Sequence, residues 1–205
     1  MSELFSIQLQ NRQQQGRDGV WLDLPTTTEQ VQAALRQIGI SSDNPQGLFI
    51  SGYFAEEEKR FAIPYNMVLA SNVDELNFLA SRLETLSTGE RAELNAALQA
   101  PQSELFSIGR ITDFPENVEY YVYLPDVRGP AQLGDYYLNR SGMVDMPEEW
   151  KGGIDTAQFG RYVAQQEQGV FTEYGYLVKS GDEWQKVYEG QPVPEEYRVL
   201  SLPAP

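Results

Sequence analysis

The sequence predicts an α+β protein in three small domains, α/β over 1–71, helical over 72–113 and α/β over 114–180, with a hairpin end and proline-rich extension over 181–205. Three observations carry that reading. Apolar and polar residues alternate near both ends of the chain, the period of a half-buried strand, whereas the middle places leucines at the spacing of one helix face. Glycine, proline, asparagine and serine cluster between these stretches and mark turns. Hydrophobic residues make up 41% of the chain and aromatics 12%, enough to fill packed cores, so disorder of the whole chain is excluded.

The elements follow in order. Leu4–Gln10 alternates and predicts a strand, and a polar loop from Asn11 to Gly19 leads to Val20–Leu24, a second strand stopped by Pro25. Thr26 and Glu29 have capping-box spacing and open a helix with Val31, Ala34, Leu35 and Ile38 on one side, ended by Gly39. Leu48–Tyr53 predicts a third strand, Glu56-Glu57-Glu58 an acidic turn, and Phe61-Ala62-Ile63 a continuation of the sheet. At Asn72 the period changes. Asn72 and Glu75 form a cap before Leu76, Leu79, Ala80, Leu83 and Leu86, and Ser87 and Glu90 form another before Leu94, Ala97 and Leu98. Two capped helices around a short connection predict an α-hairpin, too small to bury its stripe without a neighbour.

The third section opens at Phe114-Pro115. Val118–Leu124 is β-rich, Leu133–Asn139 predicts a short helix, Asp155 caps a helix through Phe159, Tyr162 and Val163, and Val170–Lys179 reads as a strand. Ser180-Gly181-Asp182 turns it toward Trp184–Tyr188, predicting a terminal hairpin. Pro192, Pro194, Pro203 and Pro205 then predict an extended, loosely held end.

The chain has 30 acidic against 15 basic residues, a formal net charge of −15, and neither histidine nor cysteine. That composition removes the usual general base near neutral pH, the usual thiolate nucleophile and every Cys/His zinc site. Nucleic-acid binding is disfavoured, because affinity for phosphates needs a basic footprint. With no run of 18 apolar residues and no basic-then-apolar leader, neither a membrane span nor a secretory signal is expected, and the expected setting is the cytoplasm. Carboxylate pairs such as Glu148-Glu149, Asp182-Glu183 and Glu195-Glu196 have the chemistry for hydrolysis, yet they sit in turn-like, polar contexts that ordinary solvated loops explain. No EF-hand loop, dinucleotide or phosphate-binding glycine motif, or nucleophile elbow is present, so no metal or cofactor is expected. The tyrosines at Tyr120, Tyr121, Tyr123, Tyr136, Tyr137, Tyr174 and Tyr176 have the rings to stack bases, but their acidic surroundings favour core and interface packing. The acidic balance itself is open to two readings, a solubility device or a field that attracts a basic partner.

The stretch from Gly134-Asp135-Tyr136-Tyr137 to Pro147, followed by Ile154, Asp155, Phe159, Gly160 and Arg161, resembles the ArdA antirestriction family. Val20–Pro25 and Asp74-Glu75-Leu76-Asn77-x-Leu79 agree with it in the same order, so the resemblance spans roughly residues 4 to 178. It implies a small acidic protein of mobile genetic elements with three domains in line, an elongated curved molecule that pairs into a homodimer. It also implies surface carboxylates that imitate DNA phosphates and occupy the groove of the DNA-binding subunit of type I restriction-modification enzymes, with no catalysis and no cofactor. The carboxylates expected to act collectively are Glu56, Glu57, Glu58, Asp74, Glu75, Glu84, Glu90, Glu93, Asp113, Glu116, Glu119, Asp126, Asp135, Asp145, Glu148 and Glu149. Ile154, Asp155, Phe159, Gly160 and Arg161 are expected to have a structural or subunit-contact role. Duplex DNA carries about one charge per 1.7 Å of axis, so −15 corresponds to roughly 25 Å of duplex per chain and roughly 50 Å for a dimer. Beside this stands an acidic interaction module that binds another basic partner of mobile-element biology without antirestriction activity, and, third, a hydrolase with a carboxylate pair.

Overall fold

The computed structural model describes all residues except 1–2, 15–17, 42–44, 57–60, 102 and 201–205. In chain order the elements are β1 (Phe5–Asn11), β2 (Val20–Leu24), α1 (Thr28–Gln37), β3 (Leu48–Phe54), α2 (Tyr65–Leu69), α3 (Val73–Glu84), α4 (Thr88–Gln99), α5 (Ile108–Thr112), β4 (Tyr121–Leu124), α6 (Pro130–Asp135), α7 (Glu148–Lys151), α8 (Thr156–Glu167), β5 (Val170–Phe171) and β6 (Tyr176–Lys179). The class is α+β. The residues divide into two compact units, one of Met1–Ser87, Leu105–Glu116 and Lys186–Pro205, the other of Thr88–Glu104 and Asn117–Gln185. The helical stretch delimited from sequence, 72–113, is therefore shared: α3 and α5 fall in the first unit and α4 in the second.

The first unit is built on an antiparallel sheet of order β2-β1-β3. Phe5, Ile7 and Leu9 of β1 are buried while Ser6, Gln8 and Gln10 between them are not, the period of a sheet with one dry face. A bulge between Gln8 and Leu9 shifts the pairing to β3 by one residue. Val31, Ala34 and Leu35 of α1 and its C-cap Ile38 are buried as their spacing predicts, and Gly39 follows at φ +68°, where a residue with a Cβ is strained. The cap lies one residue later than expected. In the run Thr26-Thr27-Thr28 it is Thr27 whose hydroxyl accepts the Gln30 N–H, with the Gln30 side chain returning the bond, while Thr26 is held by Asn77 and Gln30. Phe61 and Ile63 are buried but are not a strand; they lead into the unforeseen α2, which packs on β3. Helix α3 starts with the predicted Asn72–Glu75 capping box and buries Leu76, Leu79, Ala80 and Leu83 completely.

The stretch around Pro192 and Pro194 is held against the first unit rather than loose, while Pro203 and Pro205 lie outside the described residues. Residues 186–200 lie across α3 and α5: the ring of Phe78 meets Tyr188 edge-on at 4.9 Å and Tyr197 at 4.7 Å, and Asn77 donates to the Tyr197 carbonyl at 2.9 Å. Val199 is buried.

The second unit pairs β4 and β5 with β6, antiparallel on both sides. Val118–Tyr120 is a 3₁₀ turn, so β4 begins only at Tyr121. The β-rich run 170–179 breaks into a hairpin, because Thr172 N–H and hydroxyl both donate to the Gly175 carbonyl, at 2.8 and 2.9 Å. Trp184–Tyr188 does not form the expected strand. The Asn117 amide instead satisfies Gln185, accepting its N–H at 2.7 Å and donating to its carbonyl at 3.0 Å, and Trp184 packs edge-on against Tyr120. Val127, Leu133, Ala164 and Tyr176 form the core cluster, flanked by Tyr136, Tyr137, Val163 and Phe171. Helix α6 starts at Pro130 rather than Leu133 and runs into a π-helical turn, Tyr136–Arg140.

Candidate acidic interface

The carboxylates selected from sequence have different fates in the first unit. Glu56 is exposed, whereas Glu57 and Glu58 lie outside the described residues. Glu75 is engaged in its capping box, accepting the Asn72 N–H at 3.2 Å. Glu84 is half-buried. Glu116 pairs with Arg82, whose guanidinium lies 5.3 Å from the centre of the Tyr188 ring. Asp74 and Asp113 bind the segment 186–200. Asp74 Oδ1 accepts the N–H groups of Val199 and Leu200, both at 2.7 Å. Asp113, expected at the surface, is 0% exposed and accepts the N–H of Tyr188 at 2.6 Å and of Glu189 at 3.3 Å. Burial raises its pKa, against the pull of those N–H groups. It is a structural anchor, not a surface charge.

In the second unit, Glu119, Asp126, Asp145 and Glu149 are exposed and, among the described residues, accept no hydrogen bond and form no ion pair. Glu148 is exposed and reaches Lys151 at 2.6 Å. Asp135 accepts from Asn139 at 2.8 Å and Arg140 at 2.7 Å, and these bonds hold its pKa below the usual range. Glu90 and Glu93 share α4; burial first, and the Glu90 charge second, push Glu93 up to about 7. Near neutral pH Glu93 therefore presents only part of a charge.

Sequence reasoning missed Glu167. Its carboxylate accepts the hydroxyls of Tyr137 and of the fully buried Tyr176, the latter at 2.9 Å, and both phenols are pushed above their usual pKa by burial first and by this carboxylate second. Tyr137 lies 30 positions away, so no local pattern announces the bond.

The segment carrying the family signature is built as expected at its start. Asp155 caps α8, its Oδ1 accepting the N–H of Ala157 and Gln158, both at 2.9 Å. Ile154 and Phe159 are half-buried and Arg161 is exposed. Gly160 is buried where α8 crosses α6: a Cβ on it would lie 1.8 Å from the Pro130 carbonyl oxygen, and one on Gly134 would lie 1.9 Å from that of Thr156. The two backbones touch, and only glycine permits it. Glycines, tyrosine pair and cap thus belong to one structural joint.

A family model described as "Antirestriction protein (ArdA)" matches residues 15–178. The chain belongs to the ArdA family. No curated protein matches it. The ArdA match contains every carboxylate selected above and the whole α6–α8 joint, whereas residues 186–200, bound to Asp74 and Asp113, lie beyond it. No helix among the described residues is long and apolar enough to cross a membrane.

Proposed function

We propose that this ArdA-family protein inhibits type I restriction-modification enzymes as a DNA mimic, its carboxylates occupying the groove of the DNA-binding subunit without catalysis or cofactor. The supporting observation is the set of exposed, unpaired acids Glu119, Asp126, Asp145 and Glu149 within the ArdA-matched region of a chain that carries −15. Charges without a cationic neighbour keep their field available to a basic partner. Asp113 drops out of the mimic set, and Glu93 contributes less than a full charge. Domains in line, pairing into a curved homodimer in the cytoplasm, complete the proposal; small-angle scattering checks the shape and mass.

The test titrates the protein into a purified type I enzyme at low and moderate salt. Cleavage slows in proportion to added protein, and association falls as salt rises, because steering is electrostatic. Replacing Glu119, Asp126, Asp145 and Glu149 together by their amides weakens inhibition strongly, while each single replacement changes it little. If neither methylation nor cleavage slows at several-fold molar excess, the reading fails, and capture of a different basic partner would favour the interaction module.

A further inference from the structure

The sheet of the first unit ends on β3 at one side and β2 at the other. Helix α2 packs on β3. Beyond β2 opens a groove of about 630 Å³, walled on one side by Val20–Asp23 and on the other by Gln30, Ala33 and Gln37 of α1. An edge strand turns alternate N–H and C=O groups away from its sheet, toward whatever lies beside it. Ala33 and Ala34 give this helical wall side chains of a single carbon, which leaves width for another extended chain. Trp21, 49% exposed, turns its ring back across the sheet, edge-on to Phe54 of β3 at 6.5 Å, and so does not fill the groove.

The charges decide what enters. Two acids, Glu3 and Asp23, line the groove, both exposed, and among the described residues no lysine or arginine does. Asp23 receives the Ser6 hydroxyl on Oδ1 at 2.6 Å, which fixes its position and leaves Oδ2 for a cation.

We propose that the groove between β2 and α1 binds an extended, basic peptide segment of a partner protein, added to β2 as a fourth strand. Main-chain bonds to β2 supply affinity and set the register, small side chains pass Ala33, and a lysine or arginine reaches Asp23 and Glu3. None of these residues belongs to the set assigned to DNA mimicry, so the two readings stand or fall separately.

The test uses the full-length, isotope-labelled protein and a capped octapeptide of alternating valine and threonine flanked by lysines, followed by amide NMR. Shifts confined to Val20–Leu24 and α1, saturating with a Kd on the order of 10–100 μM, are expected. The same peptide methylated on alternate backbone nitrogens should bind at least about tenfold more weakly, since it cannot extend the ladder. A glutamate-flanked peptide should fail on the natural protein and bind to the Asp23→Lys variant, a gain that misfolding cannot produce. Absence of shifts at about 1 mM lysine peptide, equal binding of the methylated form, shifts centred elsewhere, or no reversal by D23K would overturn the proposal.

Discussion

Replacing Asp74 by alanine should release Val199 and Leu200 from α3. Asp74 is the second residue of α3, one after Val73, and its Oδ1 alone receives two N–H groups at 2.7 Å. Hydrogen bonds to a charged acceptor contribute about 1.5–3 kcal/mol each, and an acid in the first helical turn adds about 0.3–1 kcal/mol through the helix dipole. Both bonds share one oxygen and its single charge, so together they contribute less than two independent bonds would. The expected loss is therefore about 2–4 kcal/mol for Asp74→Ala, and about 1 kcal/mol for Asp74→Asn, which keeps an acceptor oxygen but no charge. Amide hydrogen exchange reads this locally. Val199 and Leu200 should lose protection by about a hundredfold or more in D74A and by about tenfold or less in D74N, with β1 amides changing far less. If protection at Val199 and Leu200 stays within about threefold in both variants, the anchoring argument is wrong.

Gly160→Ala should cost about 2–3 kcal/mol in urea unfolding, because α6 and α8 must separate to admit a Cβ that would meet backbone at 1.8 Å; Gly152→Ala, with nothing within 4 Å, is the control. Burial raises the folded pKa of Glu93 to about 7, above the 4.5 ordinary for a glutamate, so the folded state binds the extra proton. The destabilisation it causes sets in as pH rises above 4.5 and is complete above about 7. Glu93→Gln should remove that slope and stabilise the protein at pH 8 by roughly 1–2 kcal/mol, the shift being discounted for residual solvent screening. Glu167→Ala leaves the Tyr176 hydroxyl buried without its acceptor and should cost about 2–3 kcal/mol, measured by thermal or urea unfolding.

Sequence patterns exposed those parts of the fold whose causes are local. The alternation of β1 and β2, the Asn72–Glu75 box and the Asp155 cap each complete their interactions within a few residues, and each stands where the pattern placed it. Thr26-Thr27-Thr28 offered equivalent capping hydroxyls, and tertiary contact with Asn77 decided between them. Asp74, Asp113, Asn117 and Glu167 act on partners 125, 75, 68 and 30 positions away, so no periodicity reports them. For the acidic surface, residue type was legible but environment was not. Asp113 and Glu149 look alike in sequence; one is sealed beneath Tyr188 and Glu189, the other faces water.

The first unit draws its residues from three separate stretches, the last starting at Lys186. A ribosome delivers α3 and α5 well before Tyr188, Tyr197 and Val199 emerge, so Phe78, Asp74 and Asp113 wait in water for their partners. The first unit thus reaches its final packing only after residues 186–200 have left the ribosome. A substitution at Tyr188 or Tyr197 therefore acts on the maturation of α3, more than a hundred positions earlier in the sequence.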